Sequence, residues 1–142
     1  MSKKPLFWEM FLFVVCMGAL NAVALYFFLY WKIKEFDSLV HFVAGVAVSL
    51  SILWLYFCSS LFNPAKRNFK DFIFISIFGI IAVGVFWEIF ELATGVTSVT
   101  DFEYYYDTIL DLVMDTLGAL VGCLYGYSKE LEIKKSQIEN NE

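Results

Sequence analysis

Charge is scarce in this chain of 142 residues: Asp, Glu, Lys and Arg together make 18%, where about 25% is usual. Hydrophobic residues make 60% and aromatics 20%. A soluble globule of this size keeps too much of its surface wet to hide that much apolar side chain, so the soluble class is excluded. Disorder is excluded by the same composition. Basic residues are scarcer than acidic ones, ten against fifteen, for a net charge of −5. Nucleic-acid binding, which needs a basic stripe against phosphates, is therefore excluded. Cysteine is limited to Cys16, Cys58 and Cys123, an odd number with no CxxC pair. These read as small buried hydrophobes, not as a disulfide framework or zinc site. The two prolines, Pro5 and Pro64, both fall outside the long apolar runs, so no run carries a helix breaker.

What the chain has is four apolar runs: 6–31, 39–62, 72–93 and 108–127. Each meets the roughly 20 residues a helix needs to cross a hydrocarbon core about 30 Å thick. Lipid offers no partner to free backbone groups, so the spans must be helices. The expectation is an all-α, four-helix transmembrane bundle in one membrane domain over 1–142. Its helices are predicted near 6–31, 38–62, 71–95 and 107–127, followed by a polar cytoplasmic tail, 128–142. Lys3, Lys4 and Ala22-Val23-Ala24 resemble parts of a signal peptide. The apolar character runs on to Trp31 without a polar mature start, which favours a retained span.

Lys3, Lys4, Lys66, Arg67, Lys70, Lys129, Lys134 and Lys135, eight of the ten basic residues, share one side of a four-span topology. The other side holds Lys32 and Lys34. The positive-inside rule then puts both termini in the cytoplasm of a multi-pass cell-membrane protein. Trp8, Trp31 and Tyr104–Tyr106 fall where aromatic belts lie.

This orientation gathers scattered acids into one leaflet: Asp37 and His41 in the second span, Glu88 and Glu91 in the third, Asp107, Asp111 and Asp115 in the fourth. Asp37, His41, Gly45 and Ser49 recur every four residues and so share a helix face. Asp107, Asp111 and Asp115 do likewise, and Gly118, Gly122 and Gly126 extend their stripe as a small-residue packing surface. Asp37 and Asp107 also suit helix starts. Asn21 reads as an interhelical hydrogen-bonder. Buried carboxylates cost several kcal/mol at mid-membrane unless they face an interior and have a purpose. No Lys or Arg lies in these spans to compensate them. Protons, water or a divalent cation must do so. We expect Glu88, Asp111 and Asp115 as ligands of a divalent cation (Mg, Mn, Ca, or Zn with His41). His41, oriented by Asp37, and Glu91 are the expected proton-transferring residues.

Three segments in order, F36-D37-S38-L39-V40-H41-F42, W87-E88-I89-F90-E91 and D107 through A119 with D111 and D115, resemble the small polytopic YjdF-like membrane proteins, and more distantly the VanZ-like family. The resemblance covers about Phe36 to Gly122. VanZ-like proteins more often carry Gln where Glu91 stands here, and an Arg before the last Asp helix. The YjdF-like resemblance implies no settled activity. Similarity to VanZ-like proteins implies work on envelope lipids or cell-wall precursors. Three functions remain: a metal-dependent enzyme acting on a lipid or head group at the outer leaflet, a non-catalytic accessory or cation-binding protein, and an ion- or proton-coupled transporter. The transporter is disfavoured because the acids stop before the cytoplasmic half. The partners expected are the bilayer and a lipid head group, with a homo-oligomer left open.

The topology is directly testable. In a cysteine-free background, single cysteines at Glu103 and Lys66 should label from opposite sides of the membrane. Labelling of both from outside would end this topology.

Overall fold

A computed structural model describes residues 6–33, 35–59, 61–62, 64–65, 67–95, 99 and 104–140. Among them there are helices and turns and no strand. Helix α1 spans Phe7–Phe27, α2 Leu29–Lys32, α3 Phe36–Leu53, α4 Phe69–Thr94 and α5 Tyr104–Glu139. A π-helical turn, Trp54–Cys58, extends α3. Four helices are long and apolar enough to cross a membrane: Phe7–Phe27, Phe36–Cys58, Phe69–Thr94 and Tyr104–Glu139.

The first predicted span, 6–31, is divided. Phe28 takes a left-handed conformation (φ 59°), and its N–H closes α1 onto the Ala24 and Leu25 carbonyls. A bulky residue at positive φ is strained, and no Gly or Pro marks the break. The turn brings the Tyr30 hydroxyl back to donate to Asn21 Oδ1 at 2.7 Å. Asn21 therefore bonds into α2 and not into a second span. Helix α5 departs the other way. The expected tail from 128 continues as helix to Glu139, stitched by Lys129–Glu132 at 2.9 Å and Lys135–Glu139 at 3.9 Å. Such spacings support a helix without any apolar burial.

Helix α3 is the centre of the bundle: α1, α4 and α5 all pack on it. The α3–α5 seam is the closest. A Cβ at Gly45 would overlap the Asp115 carbonyl, and one at Gly118 would overlap the Phe42 carbonyl. At Gly122 it would meet Ser49 Cβ and the Val46 carbonyl at 3.0 Å. In lipid, where apolar side chains gain nothing by leaving solvent, this backbone approach supplies the packing. Midway along, the fully buried Ser49 donates to Ser76 of α4 at 3.0 Å.

Beyond the seam, Phe57 and Phe72 stack at 4.2 Å under the π turn. Arg67 ties this end together. It donates to the buried Glu130 at 2.9 Å and to the Phe57 carbonyl at 2.5 Å. The π turn leaves carbonyls without helical donors, and Arg67 supplies one. Of the cysteines, Cys123 is buried and Cys58 half-buried, but Cys16 is exposed on α1, against the expectation of burial. Helix α1 packs chiefly on α3, so most of its circumference is left outside the bundle.

Overpacking of a tight core costs about 1–3 kcal/mol. Gly118→Ala should therefore lower the unfolding temperature clearly. Gly18→Ala, with nothing within 4 Å of its new methyl, should be neutral or slightly stabilising. Equal effects in a detergent thermal-unfolding assay would contradict the seam.

Candidate functional site

The α3–α5 contact decides where His41 goes. Gly45 lies one turn after His41 and rests on the Asp115 backbone, so the imidazole is pressed against the α5 acid stripe. Its Nδ1 lies 3.3 Å from Asp115 Oδ1. Its Nε2 lies 3.8 Å from Asp37 Oδ1, one turn earlier on α3, and 3.8 Å from Asp111 Oδ2. One ring thus meets three carboxylates, one on one edge and two on the other.

Asp111 and Asp115 are each only 5% exposed. Asp111 Oδ1 is buried and has no hydrogen-bond partner among the described residues. A buried carboxylate oxygen without a donor is costly, and here a second helix holds it in place. Asp115 also approaches α4: a Cβ at Gly84 would lie 3.1 Å from its Oδ2. Gly84 is therefore the notch that admits this side chain.

The donor atoms of Asp37, His41 and Asp111 all lie within 4.8 Å of one another. Ligands bound to one zinc at about 2.1 Å stand about 3.4 Å apart in a tetrahedron. The 3.8 Å separations on Nε2 need a few tenths of an ångström of closure, and a separation at the 4.8 Å limit of the group needs about 1.4 Å, a side-chain rotation. The charge count points the same way. Protonating His41 sets one positive charge against three carboxylates, whereas a divalent cation on a neutral ring sets two.

The sequence-predicted residues divide into two groups. Asp37, His41, Asp111 and Asp115 converge on the imidazole. Glu88 is buried on α4 but takes a different partner, accepting from the Thr108 hydroxyl at 2.8 Å, and it stands outside the group with cation-ligand spacing. Glu91 accepts from the Trp87 indole N–H at 2.9 Å on the same helix. Asp107 is exposed in the first turn of α5. Asp37, expected to orient His41 in proton transfer or to cap its helix, lies on the same ring edge as Asp111.

Sequence reading missed Thr108 and Trp87 as partners of the two glutamates. The i, i+4 spacing of Trp87 and Glu91 was the available signal for one. Nothing short of helix rotation gives the other. It also missed Arg67 and Glu130, which lie far from the acids at the opposite end of α5.

A family model described as predicted membrane protein (DUF2238) matches residues 4–130. No curated protein and no solved structure matches the chain.

Two neighbouring substitutions should move stability in opposite directions. Asp111→Asn removes a buried charge with an undonated oxygen, and without added cations it should raise the unfolding temperature. Asp115→Asn weakens the acceptor facing Nδ1 and should lower the unfolding temperature, at a cost in stability of about 1–2 kcal/mol. Shifts of the same sign in thermal unfolding would contradict this division of roles.

Proposed function

The chain belongs to the DUF2238 family of predicted membrane proteins, and we propose that it is a divalent-cation-dependent enzyme acting on a lipid head group at the outer leaflet of the cell membrane. The observation that carries this reading is the undonated, buried Asp111 Oδ1 beside the His41 edge that also faces Asp37. The cation is held by Asp37, His41 Nε2 and Asp111, three protein ligands that leave a coordination position for substrate or water. Asp115 accepts from Nδ1–H, which keeps Nε2 unprotonated and the ring oriented toward the ion.

This assignment alters the expected ligand set. Asp37 takes the place of Glu88, and Asp115 moves from ligand to orienting group. The cation supplies Lewis-acid activation of a phosphoryl or acyl oxygen. Residues 71–128 contain no Lys or Arg, so within the spans the ion is the positive charge a head-group phosphate meets, with Lys32 and Lys34 the basic residues of the same side. Activity should therefore depend strictly on the cation. Glu91, half-buried and fixed by Trp87, is the carboxylate we assign to proton transfer with water.

Orientation supports the outer leaflet: the basic residues gather at the other end of the spans, which the positive-inside rule assigns to the cytoplasm. The resemblance of 36–122 to YjdF-like proteins, and the more distant one to VanZ-like proteins, supports an envelope-lipid substrate. The seam below the site supports an enzyme over a transporter. From Gly45 and Gly118 to Gly122 the helices touch backbone to backbone, which closes the α3–α5 face below the acids.

The test joins binding and turnover. Purified protein is stripped with chelator and then given Mg²⁺, Mn²⁺, Zn²⁺ or Ca²⁺ in turn. At a hundredfold excess over Kd, the right ion adds about 2.7 kcal/mol of stability. Asp111→Asn should abolish this gain and stay folded. In liposomes of defined phospholipids, mass spectrometry should detect head-group release that stops on chelation. If no cation stabilises the wild-type protein, the metal site is wrong. Stabilisation without turnover would leave a cation-binding membrane protein.

A further inference from the structure

Helix α4 buries one stripe and leaves another outside the bundle. Phe72, Ser76, Ile80, Gly84 and Glu88 face inward. On the opposite side Phe74 and Phe78 are 69% and 68% exposed, with their rings stacked at 6.1 Å. Ile73, Ile77 and Ile81 form a second row beside them. Residues four apart make ridges along a helix surface, and a groove of about 400 Å³ runs between these two. Lys70, the first residue of the aromatic row, stands at its end.

The groove belongs to one leaflet. Phe69, next to Lys70, packs on Tyr127 at 4.9 Å, and Tyr127 ends the apolar run of α5. Lys70 therefore stands at the membrane interface, on the side that holds most of the basic residues. Ile81 lies eleven positions further on, about 16 Å along the helix. That is about half of a hydrocarbon core about 30 Å thick, the depth of one layer of acyl chains.

Two features select the occupant. The first is bulk. Helices in lipid approach one another through small residues, as α3 and α5 do at Gly45 and Gly118. All six groove residues are large, so the ridges hold a partner helix off and leave a slot for a thin, flexible chain. The second is charge. At this end of the bundle Arg67 and Lys134 meet Glu130, Lys129 meets Glu132 and Lys135 meets Glu139. Lys70 is exposed and has no acid partner among the described residues. Asp71 lies about 100° around the helix from it. The first turn of α4 adds the positive end of the helix dipole.

We propose that this groove binds an anionic phospholipid of the leaflet that carries Lys70, with one acyl chain between the ridges and the phosphate on the Lys70 ammonium. The apolar stem of the lysine continues the aromatic row, and its charge reaches the level of the head groups. A zwitterionic lipid offers the same chain, but its own ammonium offsets the phosphate, so head-group charge sets the preference. One lysine beside an anionic lipid is worth about fivefold in affinity. The groove is remote from His41 and independent of what the acid site binds.

The test gives the purified full chain, in detergent, phosphatidylglycerol or phosphatidylcholine with identical acyl chains. Bound lipids are counted by native mass spectrometry. The wild-type protein should hold phosphatidylglycerol about fivefold more tightly. Lys70→Gln should make the two lipids equal, whereas Lys135→Gln, which removes the same charge from a lysine already paired with Glu139, should keep the preference. Phe74→Ala with Phe78→Ala should weaken both lipids and leave the lipid-free unfolding temperature in place, because both rings are exposed. Equal retention of the two lipids by the wild-type protein, a preference that survives Lys70→Gln, or binding that ignores the loss of the aromatic ridge would each overturn the proposal. A dimer that dissociates in the ridge variant would assign the face to a second copy and overturn it as well.

Discussion

The backbone contact between α3 and α5 is the constraint on which the site depends. Gly45 and Gly118 have no side chain to hold the helices apart, and the separation they allow is short enough for His41 to reach across to α5. A methyl group at either glycine would push the helices apart and withdraw the imidazole from Asp111 and Asp115. Packing and site geometry are thus set by the same residues. The membrane enforces this economy: without a hydrophobic drive between helices, close approach and interhelical hydrogen bonds must supply cohesion.

Polar groups are distributed along the bundle with a clear division. At one end, three carboxylates surround a single imidazole with no basic residue among the spans. At the middle, Ser49 and Ser76 satisfy each other and add no charge. At the far end, Arg67 satisfies Glu130 and the open carbonyl of the π turn. Only the first of these is incomplete. Charge left uncompensated at one place, in a protein that compensates it elsewhere, is the physical basis for assigning a ligand there.

The spans were legible in the sequence because length and apolarity are strong local signals. So were the acid stripes, because four-residue spacing fixes a face whatever lies opposite. The break at Phe28 was not, since it comes from a strained conformation with no Gly or Pro to announce it. The helical extension of α5 was hidden by composition: alternating Lys and Glu read as a solvated tail, although their three- and four-residue spacing also builds a helix. Within the site, the sequence could say that His41, Asp111 and Asp115 share a leaflet. It could not say that Asp37 joins Asp111 on one ring edge, or that Glu88 turns to Thr108, because those depend on how each helix is rotated about its axis. The glycines that settle the rotation of α3 against α5 were visible, but which glycine met which carbonyl was not.

His41 is the single histidine of the chain, so a sample labelled with ¹⁵N-histidine has one imidazole and two side-chain nitrogen signals. This makes the central claim, a ring held by Asp115 on one edge that takes a cation on the other, directly observable by solid-state NMR in lipid. With cadmium, a spectroscopic stand-in for zinc, added, the account predicts a protonated Nδ1 and an unprotonated Nε2 whose signal alone has moved strongly. An Asp111→Asn sample should lose that movement and keep the Nδ1 proton. Two protonated nitrogens that do not respond to any divalent cation would contradict the account.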